Sequence, residues 1–128
     1  MKYLIALFSE AEKGRFNHPY LCNSLEQLSD TFGNPPAGSK GLYFAIQALL
    51  YQRDILFFRV EEEGFSASDY LAGIHYIRQF GPRLLPTAIC LPGVGDPNIL
   101  KETDRLCKKL SSFLIITPHD LFDYLTYS

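Results

Sequence analysis

The sequence has little excess charge and no long apolar run. Its 12 Lys and Arg residues stand against 14 Asp and Glu residues, which gives a net charge of −2 at pH 7. Recognition of DNA or RNA phosphates needs clustered basic charge, so we expect no nucleic-acid partner. The apolar runs are far shorter than the ~20 residues of a membrane-spanning helix, so we expect a soluble protein without a membrane partner.

The first residues, MKYLIALFSEAEKG, have only part of the pattern of a signal peptide. Their apolar run extends from Tyr3 to Phe8, and acidic residues follow it in place of a small-residue cleavage site. This pattern favours a first β-strand and a cytoplasmic location.

Cysteine is scarce and tryptophan is absent. The three cysteines, Cys22, Cys90 and Cys107, are far apart and form no CxxC pair, so a zinc site or a disulfide framework is not expected. Small buried thiols are the simpler interpretation. Tyr and Phe bring the aromatic content to 14%, which serves either a core or a protein interface.

The pattern of apolar residues predicts one α/β domain over residues 1–128. Short apolar runs such as KYLIALF, DILFFRV, PTAICL and FLII read as buried strands, and segments with helical spacing alternate with them. Continuous apolar strands of this kind are typical of a mostly parallel sheet flanked by helices on both faces.

Local signals predict where the helices begin and end. Ser24 has capping-box spacing with Gln27, and Ser39 is expected to cap the next helix. A third helix is expected from Ser66 to the Gly81-Pro82 pair, with Leu71 on its buried face. Two later helices begin with a cap followed by proline, at Asp96-Pro97 and at Thr117-Pro118, the second with Asp120 at the capping-box position.

The segment CLPGVGDPN, residues 90–98, has the strand, Gly-x-Gly, helix order of a phosphate-binding loop. Asn98 stands where a dinucleotide-binding loop has its third glycine, and no Gly-Lys-Ser/Thr follows. Asp96 places a carboxylate where the phosphate would lie, and Pro97 has no N–H to donate. We therefore predict a turn and a helix cap, with no bound cofactor.

Acidic residues follow the predicted strands, where parallel sheets usually present ligand sites. Such carboxylates could hold a divalent cation or act as acid and base, or they could simply be helix caps and solvated strand ends. The candidate metal ligands are Glu10, Glu61, Glu63, Asp96 and Asp120. No nucleophile motif is present, and we assign no catalytic residue.

Two helical surfaces are candidates for contact with other molecules. Lys101, Arg105, Lys108 and Lys109 form a basic stripe, which is most simply a solvated helix face. On the last helix, Tyr124 and Tyr127 are predicted to form an interface, because they lie off the apolar face of Leu121, Phe122 and Leu125.

Several segments, read in order, resemble contractile phage tail sheath proteins. The first, SEAEKGRFNHPYLCNSLEQLSDTFGNPP, resembles the sheath opening, with Lys13-Gly14, Pro19, Asn23-Ser24 and Phe32-Gly33 at matching positions. LYFAIQALLYQRDILFFRV resembles the sheath helix–strand unit, with Arg59-Val60 at the strand end. YLAGIHYI, ICLPGVGDPNIL and SFLIITPHD resemble the later helix, the strand exit and the final strand. The chain departs from the sheath pattern at Gln52-Arg53-Asp54, which replace an Asn-Gly-Gly turn.

The resemblance implies a non-enzymatic structural or protein-interaction domain, similar to a sheath core. Extended arms that sheath subunits exchange are not seen in this short sequence, so we expect a monomer or a dimer, alone or with a protein partner, and no tubes. The alternatives are a small α/β enzyme or a metal-binding domain that uses the strand-end carboxylates, and a regulatory module for a small ligand.

Overall fold

Five strands and five helices are present in residues 3–127, the part of the chain that the computed structural model describes. The strands are β1 Tyr3–Ser9, β2 Tyr20–Cys22, β3 Arg53–Arg59, β4 Ala88–Cys90 and β5 Phe113–Ile115. The helices are α1 Leu25–Phe32, α2 Gly41–Leu50, α3 Ala67–Leu84, α4 Pro97–Leu110 and α5 Pro118–Tyr127. None of these helices combines the length and the apolar character that a membrane crossing needs.

The strands form one sheet in the order β2-β3-β1-β4-β5. β1 lies at the centre, parallel to both β3 and β4, and β5 is parallel to β4. Only β2, at one edge, is antiparallel to its neighbour β3. The prediction of an α/β fold with a mostly parallel sheet is therefore confirmed.

Side chains that alternate along the central strands enter two separate hydrophobic clusters. Ile5 and Leu7 of β1 belong to a cluster with α1, α2 and α5, whereas Ala6 and Phe8 belong to a cluster with α3 and α4. β3 divides its side chains in the same way, with Ile55 in the first cluster and Phe58 in the second. Burial of both sets explains why these strands read as continuous apolar runs.

Helix α3 lies close to the sheet because a glycine faces the strands. Phe8 stacks on Phe58 with ring centroids 4.7 Å apart and on Tyr70 at 5.4 Å. A Cβ atom on Gly73 would lie only 2.2 Å from the Phe8 ring. Glycine at position 73 therefore permits the contact between the helix backbone and the aromatic stack.

Two details of α3 differ from the sequence-based prediction. The helix continues through Gly81 and Pro82 to Leu84, and Leu85 ends it in the left-handed conformation with φ of 50°. Pro82 is exposed, so the carbonyl group that loses its helical partner can face solvent. Leu71 is half-exposed, and Tyr70 occupies the buried position in its place.

Helices α2 and α5 run in the same direction on one side of the sheet. The first residues of α2 contact Ser9, the last residue of β1, and Glu63, in the loop that follows β3. α5 begins directly after β5, and Tyr124 near its end reaches Thr87, which precedes β4. Both helices therefore start at the carboxyl edge of the parallel strands and end at the opposite edge.

Candidate functional site: the carboxyl edge of the sheet and the groove between two helices

The direction of the connections reverses between β1 and β4, the place where open α/β sheets usually bind ligands. In this protein the loop between β3 and α3 covers that place. Glu63 of the loop accepts hydrogen bonds from Ser9 and Glu10 at the end of β1, and Gly64 packs against Gly93 after β4. A Cβ atom on Gly64 would lie 2.8 Å from the Gly93 carbonyl oxygen, so the two backbones are in close contact.

The Glu63 carboxylate is the centre of a hydrogen-bond network. Its Oε1 atom accepts from the hydroxyls of Ser9 at 3.1 Å and Ser39 at 2.9 Å. The same oxygen accepts from the N–H of Glu10 at 3.1 Å, and Oε2 accepts from the N–H of Lys40 at 2.8 Å. Both oxygens also lie 3.3 Å from the N–H of Gly41. Glu63 therefore caps the first turn of α2 with a carboxylate, which the positive end of a helix favours.

This network corrects the prediction that Ser39 caps α2. The N-cap position is Lys40, whose side chain makes no capping bond, and the Ser39 hydroxyl instead donates to Glu63. The cap comes from a residue 23 positions later in the chain than Lys40, so spacing within the helix could not reveal it.

Glu10 and Glu63 form two reciprocal hydrogen bonds, each from a backbone N–H group to a side-chain carboxylate. The N–H of Glu10 donates to the Glu63 carboxylate, and the N–H of Glu63 donates to the Glu10 carboxylate at 2.8 Å. Gly41 permits this packing, because a Cβ atom at that position would lie 2.2 Å from the Ser9 side chain. Two loops and one helix terminus are thus held together by two carboxylates.

The other predicted cation ligands do not join Glu10 and Glu63, and they have separate structural roles. Glu61 is exposed, and its N–H donates to Asp69. Asp96 caps α4 by accepting from the N–H of Asn98 at 2.8 Å and of Ile99 at 3.2 Å. Within residues 3–127 no three His, Cys, Asp or Glu side chains are grouped as a metal site would require.

Asp120 takes part in the predicted capping box of α5. Its carboxylate accepts from the N–H groups of Ile116 and Thr117, and the Thr117 hydroxyl accepts from the N–H of Asp120. Partial burial on its own would raise the pKa of Asp120, but these hydrogen bonds together outweigh it and lower the pKa. The Nε2 atom of the neighbouring His119 lies 3.3 Å from a carboxylate oxygen of Asp123.

Two of the sequence-predicted caps that the structure contains, Asp96 and Thr117, can be tested directly. We expect Asp96→Ala and Thr117→Ala each to lower the free energy of unfolding by about 1 kcal/mol, the usual cost of losing an N-cap. Urea denaturation followed by circular dichroism measures the change. Lys101→Ala, on an exposed part of α4, is the control and should have little effect. An unchanged stability in either cap variant would show that the cap contributes nothing.

The glycine-rich segment from Gly93 to Pro97 is a turn that leads into α4. Gly93 adopts a φ of 76°, a conformation that favours glycine, and Val94 is buried. The N–H groups at the start of α4 are already bonded to Asp96. The geometry agrees with the interpretation of this segment as a turn and a cap.

The three cysteines are buried, as their apolar neighbours suggested. Burial raises the pKa of Cys22 to about 11 and that of Cys107 to about 12, and it also raises the pKa of Cys90. These thiols are therefore protonated at neutral pH and are poor nucleophiles.

Residues of the basic stripe on α4 form ion pairs with acidic side chains of the same helix. Arg105 pairs with Glu102 at 3.5 Å, and Lys108 pairs with Asp104 at 3.0 Å. Glu102 also pairs with Arg78 of α3 at 3.0 Å. The stripe is thus part of a mixed-charge, solvated surface.

The placement of Tyr124 on an exposed face was wrong. Its side chain is only 8% exposed, packs edge-on against Phe113, and hydrogen-bonds to the Thr87 hydroxyl. The guanidinium group of Arg53 also lies over its ring. Phe122, which the sequence places on the apolar face, is instead 61% exposed. The side chain of Tyr127, the other predicted interface residue, lies outside the described part of the structure.

A groove of about 410 Å³ runs between α2 and α5. We call it the α2–α5 groove; its apolar lining comes from Tyr43, Phe44, Tyr51, Leu121, Phe122 and Leu125. Tyr43 on one wall is 59% exposed, and Phe122 stands on the other. Lys40 and Pro118, the first residues of the two walls, lie at the same end of the groove.

Sequence reasoning missed this groove because its walls come from segments about 70 residues apart. One available signal was that α2 is apolar on nearly all sides, since GLYFAIQALL contains one polar side chain apart from the tyrosine hydroxyl. A helix with that composition has more apolar surface than one sheet can cover.

Comparisons of the chain with protein-family models, with curated proteins and with solved structures give no significant match.

Proposed function

We propose that this protein is a non-enzymatic structural or protein-interaction domain that binds a helical segment of a partner protein in the α2–α5 groove. The observation that carries the proposal is the pair of exposed aromatic side chains, Tyr43 and Phe122, on opposite walls of an open apolar groove. Large exposed apolar surfaces of this kind commonly mark protein contact sites. The ordered resemblance to a tail sheath core supports the same class of function.

The carboxyl edge of the sheet supports the non-enzymatic part of the proposal. The β3–α3 loop fills the place where this class of fold usually receives a ligand, and the Glu63 carboxylate there already accepts several hydrogen bonds. A catalytic acid or base needs an open position beside it for the reacting group. Around the Glu63 carboxylate, the protein's own N–H and hydroxyl groups occupy the positions that a reacting group would need.

Site-specific photo-crosslinking tests the proposal. A photoreactive phenylalanine analogue at Phe122, in protein expressed in its native host, should give a covalent adduct with one protein species. Mass spectrometry should map the attachment to a helical segment of that protein. The same analogue at Phe65, which is 74% exposed and outside the groove, is the matched control. Equal adducts from both positions, or none from Phe122, would contradict the proposal.

The alternative function is a metal or acid–base site at Glu10 and Glu63, favoured by their contact across the two loops. Thermal-shift titration with Mg²⁺, Mn²⁺, Zn²⁺ and common nucleotides separates the two functions. We expect no saturable stabilisation, because both carboxylates are engaged with backbone donors and the α4 terminus carries Asp96. Saturable stabilisation that disappears in Glu10→Gln would support the alternative function in place of ours.

A further inference from the structure

We infer that the α2–α5 groove selects an amphipathic helix that carries an acidic side chain at the end next to Lys40. This inference rests on the proposed function and specifies the chemistry of the partner. It follows from the shape of the groove, from the position of its charge and from the residues that stand on its walls.

The shape of the groove suits a short helix. α2 and α5 run in the same direction, so their apolar side chains form two walls along a common axis. A helix of 10 residues such as α2 is about 15 Å long, which matches about three turns of a bound helix. Apolar side chains at positions i, i+3 or i+4, and i+7 of a partner would lie along one face and fill the groove.

The charge of the groove is concentrated at one end. Lys40 is the one charged residue among those that line the groove in the described part of the chain. It is exposed and forms no ion pair with residues 3–127, since Glu63 is turned toward the backbone N–H groups of Lys40 and Gly41. A basic side chain in the partner would be repelled at this end, and an acidic one would be attracted.

The remaining polar groups of the lining are uncharged and leave the rest of the groove suited to apolar side chains. Gln47 and the hydroxyls of Tyr43 and Tyr51 accompany the carbon surfaces of Phe44 and Leu125. Tyr is favoured at protein interfaces because one side chain supplies both apolar area and a hydrogen-bonding tip. The groove therefore discriminates by charge at the Lys40 end and by apolar shape along its length.

Two synthetic peptides test this inference with the full chain. Each has 14 residues, an alanine-based helix and Leu at positions 4, 8 and 11. One carries Glu at positions 1 and 2, and the other carries Lys. Fluorescence anisotropy gives the dissociation constants, and we expect the Glu peptide to bind about fivefold more tightly at low salt. Lys40→Glu should reverse the preference, and the comparison across the two protein variants cancels any difference in peptide helicity.

Matched variants separate this inference from the proposed function. Phe122→Ala should weaken both peptides at least tenfold, because truncation of a central aromatic side chain removes much of the contact. Phe65→Ala should leave both unchanged. The charge selection would be overturned if both peptides bound with equal affinity and Lys40→Glu changed neither affinity. If Phe122→Ala still weakened both, the groove would remain a docking site. The inference of a helical partner would be overturned if neither peptide bound. It would also be overturned if sedimentation velocity showed a dimer that Phe122→Glu abolished, because a second copy of the chain would then occupy the groove.

Discussion

We expect Glu63→Ala to lower the free energy of unfolding by about 3 kcal/mol. The substitution removes the acceptor for the hydroxyls of Ser9 and Ser39 and for several backbone N–H groups. Ser39 is buried, so its hydroxyl loses its acceptor in the protein interior, whereas the Ser9 hydroxyl keeps its bond to the Glu10 carbonyl oxygen. Each buried donor without an acceptor costs about 1–3 kcal/mol, and the loss of the α2 cap adds about 1 kcal/mol. Chemical denaturation with urea gives the change.

Glu62→Ala is the matched control, because Glu62 precedes Glu63 in the same loop and is exposed. We expect its effect on stability to stay within about 0.5 kcal/mol, as for most surface substitutions. Glu63→Gln should be intermediate, because the amide keeps one acceptor oxygen but turns a donor toward other donors. Equal stability of the Ala and Glu62 variants would show that the network does not contribute to folding.

The same variant should acquire an anion site. Removal of the carboxylate leaves N–H groups at the start of α2 and two serine hydroxyls directed at one empty position. Inorganic phosphate or sulfate at such a helix terminus is bound by free N–H groups and the helix dipole. Phosphate should therefore raise the melting temperature of Glu63→Ala more than that of the unaltered protein at the same ionic strength. An equal increase in both would show that the position does not accept an anion.

The parts of the fold that depend on residues close together in the sequence were predictable. Ser24 accepts from the N–H of Gln27 at 3.1 Å, Asp96 and Thr117 cap their helices, and the apolar runs form the sheet. These features follow from spacing within a few residues, where sequence patterns are informative. The role of Glu63 was hidden because its partners come from two segments far from it in the sequence, at Ser9-Glu10 and at residues 39–41.

The side of a helix that faces the core was predictable only in part. The sequence pattern places Leu121, Phe122 and Leu125 on the apolar face of α5 and Tyr124 off it, whereas Phe122 is exposed and Tyr124 is buried. In the structure Thr87 supplies a hydrogen-bond partner for its hydroxyl, and Phe113 packs against its ring, so the tyrosine can be buried. Those partners lie before β4 and on β5, and only the folded arrangement brings them next to α5. The α2–α5 groove has the same origin, since neither helix forms it alone.

The contact between α3 and the sheet leads to the second large effect. Phe8 stacks between Phe58 and Tyr70, and Gly73 lies against the edge of its ring. Phe8→Ala should lower the free energy of unfolding by about 4 kcal/mol, as expected when a buried phenylalanine is truncated. Gly73→Ala should cost about 3 kcal/mol, because the new Cβ would stand 2.2 Å from Phe8 Cε2 and 2.6 Å from Cζ. This cost exceeds the ~1 kcal/mol by which alanine favours a helix over glycine.

The two substitutions should not be additive, and this is the sharper test of the packing. In the Phe8→Ala background the ring is gone, so the methyl group of Gly73→Ala enters space that the ring occupied. The nearest remaining atom would be Phe58 Cδ1 at 3.2 Å, a contact that a small rotation of that ring relieves. Gly73→Ala should then cost close to nothing, and the double variant should be about 3 kcal/mol more stable than the sum of the single effects. Gly95→Ala, where no atom lies within 4 Å of the added Cβ, is the control and should be neutral in both backgrounds. Additive single effects, measured by urea denaturation of all four proteins, would mean that α3 does not rest on Phe8 through Gly73.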